Sequence, residues 1–131
     1  MLEVRSLDTA QQIEKYINDN IAWDLSIEHL CAHFSISRAE LYQLFHTNFN
    51  ASVADYIRSK RIAMAEQLIR TTSMQISEIA ANVGFFDYNY LYKVFHRKFG
   101  VSPREYRKRL EDNGTGQEKT AEQGKSNTKK A

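Results

Sequence analysis

Few residues in this sequence have the types and spacing to do chemistry, and the first group to test is His29, Cys31 and His33. Histidines four apart share a helix face, but at 100° per residue Cys31 points about 200° from either, so the three cannot close on one metal ion. The spacing instead fits a small core cysteine flanked by two surface histidines, and no metal site is expected. A buried thiol without a neighbouring cation is also a poor redox sensor. No glycine-rich phosphate loop appears, no paired carboxylates converge, and serine, histidine and aspartate are scattered along the chain. Neither a catalytic site nor a cofactor is expected.

A second group matches the edges of nucleic-acid bases. The amides of Gln43 and Asn89 have the geometry for adenine, Lys93 can reach guanine, and tyrosine rings suit thymine methyls. The formal net charge is only +2, but its distribution is uneven. Residues 1–57 carry three basic side chains (Arg5, Lys15, Arg38) against eight acidic ones. From Asn89 to Leu110, Lys93, Arg97, Lys98, Arg104, Arg107, Lys108 and Arg109 oppose Glu105 alone. The second half therefore attracts phosphate more strongly. Arg58, Lys60 and Arg61 form a smaller cluster between the halves.

These residues have to be positioned by helices. Glycine and proline are nearly absent before Asn113, and apolar residues recur at helical spacing. Ile13, Tyr16, Ile17 and Ile21 predict a helix over about Thr9 to Asn20. Ser26 caps a short helix carrying Ile27, Leu30, Cys31 and Phe34. Ser37 and Glu40 have the spacing of a capping box, opening a helix with Leu41, Leu44, Phe45 and Phe49 facing inward. A long helix is expected from Val53 to Thr71, with Ile57, Met64, Ala65, Leu68 and Ile69 as one buried stripe. A further short helix (Ile76, Ile79, Ala80, Val83), a turn at Gly84 and a helix beginning at Asp87 follow. Ser102 and Pro103 then give a strong start signal, with serine at the cap and proline at the first helical position. Beyond Leu110 the sequence holds no large apolar residue and reads as a disordered polar tail.

The chain repeats itself. Ile27 and Ala32 recur as Ile76 and Ala81, an offset of 49. From there the offset is 50: Leu41, Tyr42, Phe45, His46, Phe49, Ser52 and Tyr56 recur as Leu91, Tyr92, Phe95, His96, Phe99, Ser102 and Tyr106. The extra residue falls between Gly84 and Asp87, in a turn, where length change is cheapest. Such matching marks a duplicated unit. Each copy is a short helix, a tight turn and a well-capped second helix, the pattern of a helix-turn-helix whose second helix enters the major groove. The outward set is Arg38, Ala39, Tyr42, Gln43, His46 and Thr47 in the first copy. In the second it is Tyr88, Asn89, Tyr92, Lys93, His96 and Arg97. Other helical hairpins share this spacing without binding DNA, and a protein adaptor docking RNA polymerase through the acidic first half is the alternative class.

The run Ile76-x-x-Ile79-Ala80-x-x-Val83-Gly84-Phe85-x-Asp87-x-x-Tyr90-Leu91-x-x-Val94-Phe95-x-x-Lys98-Phe99-Gly100-x-Ser102-Pro103-x-x-Tyr106-Arg107 resembles the signature of the AraC/XylS family of transcription regulators. The resemblance extends over roughly residues 8–110. It implies an all-α fold in which two helix-turn-helix subdomains, a homeodomain-like tandem, are joined by a long connecting helix. The first subdomain is then expected at 1–52, the connecting helix at 53–72 and the second subdomain at 73–110, with the polar tail read from composition at 111–131. The resemblance also implies that both recognition helices enter successive major grooves on one DNA face. A 19-residue helix is about 28 Å long, close to the roughly 34 Å between such grooves.

Carried over position by position, the resemblance makes Ala39, Tyr42 and Gln43 base-facing in the first unit. In the second they are Tyr88, Asn89, Tyr92 and Lys93. Phosphates would meet the backbone at the helix starts near Ser52 and Ser102, with Arg38, His46, His96, Arg97 and Arg104 as further contacts. Three departures bear on sequence preference. Ala39 offers only a methyl where some members place a large aromatic, Lys93 lacks the arginine fork that best reads guanine, and Ser35 stands where many first units have glycine. The expected partners are double-stranded promoter DNA and RNA polymerase, with no membrane. This region is expected to act as a monomer, or as a dimer if a further domain exists, in the cytoplasm and on the nucleoid.

Overall fold

In the computed structural model the backbone of residues 2–115 and the side chains of residues 7–113 are described. Seven α-helices follow in order: α1 (Leu2–Asp19), α2 (Ile27–Phe34), α3 (Arg38–Phe49), α4 (Val53–Thr71), α5 (Ile76–Asn82), α6 (Tyr88–Phe99) and α7 (Pro103–Leu110). No strand occurs among the described residues, as the all-α reading requires.

Five helix starts follow the same chemistry. Ser26, Ser37, Ser52, Asp87 and Ser102 each accept a hydrogen bond from the backbone N–H three residues on, satisfying a donor the helix cannot. At Ser37 the capping box is complete, because the Glu40 carboxylate also accepts from the Ser37 N–H at 2.9 Å. The ends repeat too. Ser35 and Asn50 adopt positive φ of 55° and 52°, and their counterparts Gly84 and Gly100 adopt 91° and 80°. The extra residue of the second turn is Phe86, which is 96% exposed. Being outside the packed interior, it lengthens the turn without disturbing either helix.

Two hydrophobic cores form, and α4 belongs to both. Val53, Tyr56 and Ile57 pack with Ile13, Ile17, Leu30, Leu41 and Phe45. Ile62, Ala65 and Ile69 pack with Ile76, Ile79, Val83, Leu91 and Phe95. From Ile57 to Ile62 the buried face turns by about 140°, at 100° per residue. The connecting helix therefore presents different sides to the two cores. This corrects the single stripe expected from the sequence: Ile62 is buried, whereas Met64 and Leu68 are only half-buried. No polar or charged side chain is buried among the described residues.

Two other expectations change. α1 starts at Leu2 rather than near Thr9, since nothing in residues 2–8 breaks a helix. Glu111–Thr115, expected to open the polar tail, continue from α7 as one π-helical turn. The rest of the tail expectation, residues 116–131, lies outside the described residues.

Candidate nucleic-acid interface

Each recognition helix is held by residues that also define its outer face. In α3, Leu41 and Phe45 are fully buried, so Ala39, Tyr42, Gln43, His46 and Thr47 are turned to solvent. Gln43 donates from Nε2 to the Thr47 hydroxyl at 2.9 Å, which keeps the amide along the helix surface. Arg38 forms a short ion pair with Glu28 of α2. Both partners are well exposed, so the pair contributes little stability, but it ties the start of the recognition helix to the helix before it.

In α6, Leu91 and Phe95 are fully buried, leaving Asn89, Tyr92, Lys93, His96 and Arg97 exposed. The Tyr92 and His96 rings stack, with centroids 5.7 Å apart and planes 7° from parallel. Tyr88 departs from its expected outward position. It is half-buried against the second core, and the Arg104 guanidinium sits 4.9 Å above its ring. Arg104 thus belongs to the same surface as the start of α6, joined through a cation–π contact.

Ser52 and Ser102 use their hydroxyls as caps, so the anion-attracting groups at these helix starts are backbone N–H groups. Each first turn also carries a carboxylate. Asp55 pairs with Arg58 at 2.6 Å and Glu105 with Arg109 at 3.2 Å, which moderates repulsion of a phosphate. Hydrogen bonds from Arg58 and Ser52 hold the Asp55 carboxyl below its ordinary range.

His29, Cys31 and His33 are placed separately. Cys31 is half-buried against the first core. His29 and His33 stack with the Tyr16 ring instead, and the Tyr16 hydroxyl lies 2.6 Å from His29 Nε2. No group of metal-ligating side chains forms among the described residues.

Sequence reasoning missed the contacts that set the two units relative to α4. The Tyr56 hydroxyl donates to Glu14 at 2.7 Å, and the Tyr106 hydroxyl donates to Glu66 at 2.6 Å. Each glutamate also pairs with a cation of α4, Lys60 at 3.6 Å and Arg70 at 3.1 Å. Arg61 donates to the carbonyls of Ile21 and Trp23. Arg107 does the same at the end of α4, to Ile69, Thr72 and Met74. α4 therefore closes the first unit with Tyr56 and opens the second with Glu66. The repeat of Tyr56 as Tyr106 was the one trace of this in the sequence.

The helix-turn-helix domain family matches residues 30–109, more than half of the chain. The chain belongs to the AraC/XylS family of DNA-binding transcription regulators. Among its relatives, the HTH-type transcriptional activator RhaR of Cronobacter sakazakii is 36% identical over 100 residues, covering 76% of this chain and 35% of that protein. The Msm operon regulatory protein of Streptococcus mutans is 30% identical over 102 residues, covering 78% of this chain and 37% of that protein. The chain thus spans little more than a third of these relatives. Among solved structures, the C-terminal domain of the response regulator yesN from Fusobacterium nucleatum superposes with TM-score 0.71 at 29% identity, covering 76% of this chain and 98% of that one. The DNA-binding domain of AdpA, solved in complex with a target DNA, gives 0.77 at 21% identity over 81% of this chain and 96% of that one, a likeness of fold. In this AraC/XylS chain no helix among the described residues is long and apolar enough to cross a membrane.

Proposed function

We propose that this region binds double-stranded promoter DNA as a monomer, with α3 and α6 in successive major grooves on one face. Residues 1–52 and 73–110 are then the two reading units and residues 53–72 the bridge. The observation that carries this reading is the 19-residue α4, whose halves are built into separate cores. A helix of about 28 Å fixed at both ends spaces two recognition helices by close to one turn of DNA.

Ala39, Tyr42 and Gln43 face bases in the first groove, and Asn89, Tyr92 and Lys93 in the second. Tyr88 contributes from the edge, since its ring is partly taken up by the core and Arg104. Arg38, His46, His96, Arg97 and Arg104, with the amides near Ser52 and Ser102, hold phosphates. On this reading RNA polymerase is the protein partner, and the chain works in the cytoplasm on the nucleoid. If a further domain accompanies this region, a dimer becomes available.

Selection from a random DNA pool tests this. Two unlike recognition helices on one chain should enrich an asymmetric site of about 20 base pairs with two short determinants one helical turn apart. A palindrome, or no enrichment, would overturn the monomeric bipartite mode.

A further inference from the structure

Between α4 and α6 lies a cavity of about 360 Å³ whose wall includes Arg58, Ser59, Tyr90, Lys93, Arg97 and Lys98. We propose that this groove seats the DNA backbone between the two major-groove segments, so that α4 is a phosphate-binding element as well as a spacer. The inference rests on the DNA-binding reading above and adds to it Ser59 of α4, while giving a place to Arg58 of the small basic cluster between the halves.

The wall is rich in donors and positive charge. Four of the six named residues are cations, and Ser59 and Tyr90 add hydroxyls. Two carboxylates bear on them: Asp55, paired with Arg58 at 2.6 Å, and Glu66, whose carboxylate already takes Tyr106 and Arg70 and feels the Lys98 charge. Lys93 and Arg97 form no ion pair among the described residues. Tyr90 together with Asp55 raises the Arg58 pKa further above its ordinary value. Beside the apolar Ile62 and Val94, the wall offers cations and hydroxyls, which suits a ligand that is negative and only accepts hydrogen bonds, a phosphodiester.

Position selects the strand. Asn89 and Lys93 lie on the exposed face of α6, and the groove opens on the flank of that helix nearest α4. A helix in the major groove is bordered by the phosphates of both groove walls. The wall on the α4 side is shared with the minor groove that separates the two major-groove segments. A backbone following that wall runs past Arg97 and Lys98 on α6 and Arg58 and Ser59 on α4.

The test places one negative charge at two points of the same helix. Ser59 and Gln67 are both exposed, so Ser59→Glu and Gln67→Glu should fold alike, which thermal melting checks. They lie about 12 Å apart along the axis, beyond the screening length of about 10 Å at 0.1 M salt. Binding of a fluorescein-labelled mixed-sequence duplex of about 30 base pairs is followed by anisotropy between 50 and 200 mM KCl. Ser59→Glu should weaken binding about tenfold and lower the slope of log K against log salt by about one. Gln67→Glu should stay within about twofold of wild type, and Lys98→Gln should lower the slope by a similar amount to Ser59→Glu. If Ser59→Glu binds as Gln67→Glu does while Lys93→Ala still weakens binding, α4 touches no backbone and the inference fails with DNA binding intact. Loss of inorganic phosphate binding in Ser59→Glu with unchanged duplex binding would assign the groove to a free anion and overturn it. No duplex binding by wild type would overturn the DNA reading as well.

Discussion

At the scale of single residues, Gly84 and Gly100 separate two costs that a sequence cannot distinguish. Both have positive φ. A Cβ on Gly84 would lie 2.3 Å from the Ile21 carbonyl oxygen and 2.6 Å from Arg61 Nε, whereas one on Gly100 would meet nothing within 4 Å. Gly84→Ala therefore combines backbone strain with a clash against the first unit, and should cost about 2–4 kcal/mol. Gly100→Ala should cost about 1 kcal/mol. Urea denaturation of the two variants measures the difference. Ser35 holds the equivalent left-handed position in the first unit, and Ser35→Gly should stabilise by about 0.5–1 kcal/mol. At the reading surface, Gln43→Ala and Lys93→Ala should each reduce affinity for the selected site by about 1–3 kcal/mol. Each should also relax preference at its own end of the site, which binding to a panel of single-base variants would reveal.

At the scale of helices, legibility followed the range of the interaction. The bounds of α4 were readable because its apolar residues keep helical spacing from Val53 to Thr71, and Ser52 caps its start, both local effects. The capping box at Ser37 and the apolar faces of α3, α5 and α6 were local as well. What escaped was set by distant parts of the chain. Ile62 is buried because α4 changes cores midway, and Tyr88 is half-buried because α7 brings Arg104 over its ring. The Glu14–Tyr56 and Glu66–Tyr106 bonds join residues about forty positions apart, beyond any periodic pattern. Glu66 carries a testable consequence. Burial pushes its carboxyl up, but the Tyr106 hydroxyl and Arg70 more than offset this, and its pKa ends below the ordinary 4.5. A lowered folded-state pKa contributes stability that is present above the unfolded value and lost as pH falls through the folded one. Glu66→Gln should cost about 1–2 kcal/mol near pH 7 and flatten the loss of stability below about pH 4.5. Thermal melts of wild type and variant from pH 7 to 3 check this, and parallel curves would contradict it.

At the scale of the whole molecule, the duplication is structurally close and chemically unequal. The tyrosine–glutamate bonds, the left-handed helix ends and the capped starts of α3 and α6 recur in both units, whereas Ser26 caps α2 and no side chain caps α5. Yet the first unit is acidic, and the basic residues from Lys93 to Arg109 lie in the second. On the proposed mode the second unit contributes more of the salt-dependent affinity, while the first discriminates sequence through Tyr42 and Gln43. The asymmetry also reaches the turns, where Phe86 has no counterpart in the first unit. On the proposed mode one chain spans two successive major grooves through α4, which hydroxyl-radical footprinting of the one-to-one complex on the selected duplex would show. Two protected patches about 10 base pairs apart on one face of the DNA are expected. A single short patch, or protection that appears only with two chains bound symmetrically, would contradict it.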